Sequence, residues 1–254
     1  MEGIARLKEY VVAAKRILIF TGAGISTTSG IPDYRGPSGV WKTKQPVYYH
    51  DFMQSEAARL TYWQDKMEAW QTFKQAKPTA VHKAIVDLEK EGRIDLVVTQ
   101  NVDGLHRLAG TSVQKLVELH GTNSKVECQT CHAFSDPELH FDFVQKTGRA
   151  PTCEHCGGFL KPATISFGQA LREHDLKRSV QAAQRCDLVI ALGSTLSVYP
   201  AASITLLAAE QGAPYIVINR GVTEHDTHKR LSLRIEGDVE QIFPPAVAEA
   251  LKKT

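Results

Sequence analysis

The 254-residue sequence predicts an α/β protein, a doubly wound parallel sheet with a smaller domain inserted into it. Three observations lead there. Short apolar runs recur along the chain and are mostly continuous, as strands covered on both faces are. Helical patterns lie between several of them. Two segments, about 32–76 and 122–162, break the alternation and read as insertions.

In chain order, Met1-Glu2-Gly3-Ile4-Ala5-Arg6 reads as the opening of an amphipathic helix and not as a signal peptide. Ile17-Leu18-Ile19-Phe20 is the first strand and ends in Thr21-Gly22-Ala23-Gly24. The first insertion is helix-compatible and rich in aromatics: Trp41, Tyr48, Tyr49, Phe52, Tyr62, Trp63, Trp70 and Phe73. Thr79 caps a helix to about Glu91, with Val81, Ala84, Ile85 and Leu88 on one face and Gly92 as the stop. Ile94 to Val98 is the second strand, and it delivers Thr99-Gln100-Asn101-Val102-Asp103-Gly104-Leu105-His106 at its C-terminal end. Leu116 to Leu119 is a third, followed by His120-Gly121. Leu188 to Leu192 and Tyr215 to Ile218 precede Gly193 and Asn219, and Leu231 to Ile235 is a weaker strand. Pro200 opens a helix through Ala208 to Gly212, and Asp238 caps the last helix with Glu240 in its first turn.

Composition narrows the function. Hydrophobic residues make up 43% of the chain, enough for a full core, and no apolar run approaches a membrane span. A formal charge of +2, with no Lys/Arg stripe, gives no reason to expect nucleic acid. The expectation is a cytoplasmic monomer.

Cys128-x-x-Cys131 and Cys153-x-x-Cys156 are separated by 21 residues. Two such knuckles make a closed four-sulfur site suited to one structural Zn²⁺, with disulfides as the competing reading. Cys186 stands alone and reads as a small buried residue. Gly22-Ala23-Gly24-Ile25-Ser26 follows a strand and suggests a phosphate loop at a helix N-terminus, although Thr27 occupies the place of the usual third glycine. Gly30-Ile31-Pro32-Asp33-Tyr34-Arg35-Gly36-Pro37 then reads as a flap over a cofactor, with Arg35 near phosphate. Gly193-Ser194-Thr195, Asn219 and Gly237-Asp238 put small hydrogen-bonding groups at further strand ends, where open α/β sheets bind ligands. His120 has the side chain whose ordinary pKa suits general base work near neutrality.

In this order the motifs resemble the sirtuins, the NAD-dependent protein lysine deacylases. They are GAGIS at 22–26, GIPDYR at 30–35, TQNVDGLH at 99–106, HG at 120–121, the four cysteines, FG at 167–168, GSTLSVYPAA at 193–202, IN at 218–219 and GD at 237–238. The resemblance spans nearly the whole chain and implies a Rossmann-like NAD domain with a smaller zinc-ribbon and helical domain. Residues 1–34, 77–121 and 163–254 would form the first, 35–76 the helical module and 122–162 the zinc-binding module.

The resemblance also implies roles. His120 would be the general base on the nicotinamide ribose hydroxyls, and Asn101 would orient that ribose and an ordered water. Asp103, with Ile31, Asp33 and Tyr34, would hold the nicotinamide, and Gly22, Ala23 and Arg35 would face the phosphates. Gly24, Ser26, Gln100, Gly193 and Thr195 complete the cofactor-binding set. Ser194, Asn219, Arg220, Gly221 and the backbone at Val239 would serve the adenosine half. Phe167, Gly168 and Gln169 with Val198, Tyr199 and Pro200 would sandwich an acyl-lysine peptide as an added strand. The implied reaction consumes NAD and yields nicotinamide, O-acyl-ADP-ribose and free lysine. Protein mono-ADP-ribosyl transfer from the same NAD site is the alternative.

Three departures bear on specificity. Gln169 stands where the family often has Glu, and Tyr34 replaces the commoner Phe. Members that prefer succinyl or malonyl lysine carry Tyr-x-x-Arg, where this chain has Tyr62-Trp63-Gln64-Asp65. An acidic acyl group would meet repulsion there, so the expectation is a neutral one, acetyl or longer aliphatic. The GPSGVW run at 36–41 is similar to members noted for long-chain deacylation.

Overall fold

The computed structural model describes residues 2–36 and 39–252. Pro37 and Ser38 of the GPSGVW run lie outside the described residues. The strands are β1 (Ile17–Thr21), β2 (Ile94–Thr99), β3 (Leu116–Glu118), β4 (Gly121–Cys128), β5 (Phe134–Ser135), β6 (Leu160–Thr164), β7 (Leu188–Leu192), β8 (Tyr215–Asn219) and β9 (Leu231–Glu236). The helices are α1 (Glu2–Ala13), α2 (Tyr49–Gln54), α3 (Glu56–Gln75), α4 (Ala80–Lys90), α5 (Leu105–Ala109), α6 (Pro137–Thr147), α7 (Glu173–Arg185), α8 (Ser203–Glu210) and α9 (Val239–Ala250).

Six strands form one parallel sheet in the order β3-β2-β1-β7-β8-β9. Alternation along each strand feeds two cores. In β1, Ile17 and Ile19 pack with Leu7 and Val11 of α1, Val81, Ile85 and Leu88 of α4, and Phe243 and Val247 of α9. Leu18 and Phe20 point the other way, toward Ala182 and Ala183 of α7 and Ile204 and Ala208 of α8. All five β1 residues are buried, which is why the run reads as continuous rather than alternating.

The capped helix at Thr79 runs almost to its expected end, and Gly92 beyond it takes a φ of +70°. The last helix begins at Val239, with Asp238 accepting from Glu240 N. Pro200 lies just before α8 rather than opening it. Helix α7 was not expected from the sequence; its buried residues are the small Ser179, Ala182 and Ala183. No α-helix begins directly after β1. Two short 3-10 turns, Ala23–Ile25 and Thr27–Ser29, take its place. Ser26, Thr27, Thr28 and Ser29 are poor helix formers with hydroxyls that compete for the backbone.

A second, antiparallel sheet has the order β5-β4-β6. Helices α3 and α6 cover it through Trp63, Phe141 and Val144, which pack with Val126 and Leu160. Trp63 is fully buried and donates from Nε1 to Leu160 O at 3.1 Å. Among the described residues no helix is long and apolar enough to cross a membrane.

Candidate functional site

The strand order of the large sheet turns back between β1 and β7, and this is where open α/β sheets form a ligand crevice. The loops after these strands meet there backbone to backbone. A Cβ on Gly22 would stand 2.6 Å from Gly193 O, and one on Gly24 would stand 2.8 Å from Gly193 Cα. These glycines are therefore required by the contact between the two loops, whatever ligand lies above them.

The end of β2 adds amides. Gln100 Nε2 donates to Ser194 Oγ at 2.8 Å, which joins the β2 and β7 ends. Asn101 is buried, and its Nδ2 donates to Gly22 O and Ser26 Oγ, both at 3.2 Å. Ser26 Oγ in turn donates to Asp103 Oδ2 at 2.8 Å, and Leu105 N donates to Asp103 Oδ1 at 2.9 Å. Burial pushes the Asp103 carboxyl above its ordinary value, while these hydrogen bonds oppose the shift.

His120 is held between the two sheets. Its carbonyl accepts from Ile165 N at 2.7 Å. Gly121 takes a φ of +77°, and a Cβ there would run into the Ala163 carbonyl oxygen, so only glycine fits. His120 Nδ1 lies 3.2 Å from Gln100 O. A carbonyl can only accept, so Nδ1 carries the hydrogen and Nε2 keeps a free lone pair. Burial lowers the His120 pKa below its ordinary value, Arg35 adds to this, and the Gln100 carbonyl opposes it.

These groups line one cavity of about 870 Å³, within the roughly 300–1,000 Å³ range of small-molecule sites. It brings together Gly22, Ala23, Gly24, Ile31, Asp33, Tyr34, Arg35, Gln100, Asn101, His120, Gly193, Ser194, Thr195 and Asn219. Phe167, Gly168 and Gln169 face it as well, with Val198, Tyr199 and Pro200. Ser26 and Asp103 stand behind the wall, joined to it through Asn101. Arg220 is paired with Asp238 at 2.7 Å, Gly221 N donates to Glu236 Oε1 at 2.8 Å, and Val239 packs in the core. None of these three lines the cavity.

The first insertion contributes more of the wall than its sequence announced. Val40, Trp41, Tyr62, Asp65, Lys66 and Phe73 all line the cavity. Arg35 lies over the Trp41 ring at 4.2 Å, and Trp41 packs near Tyr34 and Phe167. The aromatic content of 32–76 was the available signal. Asp65 is paired with Lys44 at 2.8 Å, and Lys66 donates to Asn123 Oδ1 at 3.1 Å. Gln169 Oε1 accepts from the buried Lys161 at 3.2 Å and from Ser166 N at 3.1 Å. A neutral amide thus meets this buried lysine.

The four paired cysteines converge, with all four Sγ atoms within 4.8 Å of one another. Cys128 and Cys156 sulfurs are 3.5 Å apart, and those of Cys131 and Cys153 are 3.8 Å apart. Four thiolates at about 2.3 Å from one zinc stand about 3.8 Å apart, so the cluster fits a tetrahedral ion. These separations are far longer than a disulfide bond. Cys128 and Cys153 belong to the core of the small sheet, which makes the site structural.

The Sir2 family pattern matches residues 22–200. A protein of Rhodopseudomonas palustris named NAD-dependent protein deacetylase is 40% identical over 245 residues, 96% of each chain. One of the same name from Sulfolobus acidocaldarius is 38% identical, over 97% of this chain and 94% of its own. Among solved structures, one described as "Sir2-p53 peptide-NAD+" superposes with a TM-score of 0.86 at 30% identity over 97% of both chains. Another, "Structure of Sir2Tm bound to a propionylated peptide", gives 0.84 at 31% identity over 97% of both. Sheet order, cysteine cluster and similarity agree over nearly the full length, and the chain belongs to the Sir2 family.

Proposed function

We propose that the protein is an NAD-dependent protein lysine deacylase that removes acetyl and other neutral acyl groups. The observation that carries this reading is His120. Its Nδ1 is committed to Gln100 O, and the residue lines the same cavity as the glycine loops, Gln100 and Asn101. Nε2 is thereby available to accept a proton from a ribose hydroxyl. Bound NAD supplies an ADP-ribosyl group activated by loss of nicotinamide. The fit to NAD rests on hydrogen-bonding groups at several strand ends around one cavity, whose wall includes the Gly22-Ala23-Gly24 loop and Gly193.

Asn101 positions the ribose, while Asp103 acts through Ser26 and Asn101 to stiffen the nicotinamide side of the pocket. Phe167–Gln169 and Val198–Pro200 flank the acyl-lysine peptide. A neutral acyl group is favoured by Ile31, Trp41, Ile165 and Phe167 in the wall. The division into 1–34, 77–121 and 163–254, 35–76 and 122–162 belongs to the same proposal, as do the cytoplasm and a monomeric state.

The test is turnover of an acetyl-lysine peptide with NAD, read by mass detection of O-acetyl-ADP-ribose and nicotinamide. His120→Ala is expected to lower turnover by at least ~100-fold while NAD still binds. Full activity in that variant, or no nicotinamide release from the wild type, overturns the reading. Label from NAD that stays on the protein substrate instead identifies an ADP-ribosyltransferase.

A further inference from the structure

Thr205, Tyr215 and His225 form a buried polar chain that ends on Tyr199 in the cavity wall. Thr205 and Tyr215 are fully buried and His225 is 2% exposed, whereas Tyr199 is 52% exposed. The Tyr215 hydroxyl lies 3.0 Å from Thr205 Oγ1 and 2.8 Å from His225 Nδ1. His225 Nε2 lies 3.1 Å from the Tyr199 hydroxyl. Thr205 Oγ1 also stands 2.9 Å from Ala202 O.

Buried polar atoms are costly unless paired, so a neutral imidazole here needs one partner that donates and one that accepts. The hydroxyls on either side serve both tautomers. In either one, the Tyr199 oxygen is held on Nε2. Burial, aided by His228 and opposed by Asp226, brings the His225 pKa down to about 4, so the ring is neutral near pH 7.

The loop that carries His225 is itself fixed. Asp226 accepts from Thr223 N at 3.1 Å and from Arg234 Nε at 2.7 Å, and Glu224 N donates to Thr195 O at 3.0 Å. Helix α8, strand β8 and this loop therefore converge on one half-exposed ring. Tyr199 lines the cavity between Val198 and Pro200.

We propose that His225 is a positioning residue for the substrate peptide, holding the Tyr199 ring and hydroxyl in the orientation that the peptide meets. The inference rests on the deacylase reading, in which Val198–Pro200 flank the acyl-lysine peptide. Without Nε2, the Tyr199 ring loses its buried anchor, and peptide binding must then bear the cost of ordering it.

The experiment measures KM for peptide, KM for NAD and kcat in His225→Phe, His225→Gln, Tyr199→Phe and the double variant His225→Phe/Tyr199→Phe. His225→Phe is expected to raise the peptide KM about threefold to tenfold, the loss of one hydrogen bond, with the NAD KM and kcat within about twofold. His225→Gln, which keeps a donor and an acceptor, returns toward wild type. Tyr199→Phe reproduces the rise, and adding His225→Phe to it adds little. An unchanged peptide KM, an equal rise in both KM values, or fully additive effects overturn the inference. If His225→Phe does not fold, the His225→Gln and Tyr199→Phe pair decides by the same criteria. No turnover by the wild type overturns the deacylase reading and this inference together. Turnover with an unmoved peptide KM overturns this inference alone.

Discussion

His120 shows how one side chain takes its chemistry from its surroundings. The Gln100 carbonyl sets the tautomer, and burial sets the pKa below the ordinary histidine value. In the proposed mechanism the neutral ring is the competent base, so activity falls as pH drops through that lowered pKa. We expect the acid limb of kcat/KM to lie below pH ~6.5. A limb at or above 6.5 in a pH–rate profile would show that another group titrates. Asn101 and His120 were legible as polar residues at strand ends. Their hydrogen-bond partners were not, because those lie far along the chain: Asn101 meets Gly22 and Ser26, and Asp103 reaches Ser26. His225 carried no sequence signal, since a lone histidine in a loop has no periodicity or spacing to mark it.

Helix α4 carries a second histidine device. His82 at its third position accepts from Thr79 N at 3.2 Å through Nδ1, completing a capping box where Glu or Gln is usual. Burial lowers its pKa to about 4, and the neighbouring His106 is driven well below its ordinary value by burial and by His82. The unfolded chain takes up these protons near pH 6.5. Stability from neutral His82 is therefore complete above pH 6.5 and declines as pH falls toward 4, by about 3 kcal/mol. Urea unfolding at pH 7, 5 and 4 should show this loss, and His82→Gln, which does not titrate, should reduce it to the part that His106 contributes. Equal losses in the wild type and the variant would contradict the assignment. The start and stop of this helix were readable because Thr79, the apolar stripe and Gly92 are local signals. The glycines after β1 read as a phosphate loop, but Gly22 and Gly24 answer to Gly193, a contact 169 residues beyond Gly24 in sequence.

Across the whole molecule, the cysteine cluster and the cavity share a structural support. Cys128 and Cys153 pack in the same core as Trp63, and α3, which carries Trp63, also presents Tyr62, Asp65 and Lys66 to the cavity. Metal analysis should find one zinc per chain. Cys128→Ser is expected to lose it, lower the unfolding midpoint by at least ~5 °C, and take the deacylase activity with it. Unaltered activity in a zinc-free variant would separate the two. The six-stranded core contains none of these cysteines, so much of its helical circular dichroism should survive zinc loss. By itself the sequence determined the α/β class, the strands of the large sheet, the four clustered cysteines and the order of the site motifs, because each is written in short periodic or spaced signals. Only the tertiary structure decided which of those motifs share one cavity, that the aromatic insertion walls it, and that His225 reaches Tyr199. Those contacts join residues that lie close only after the sheet has folded.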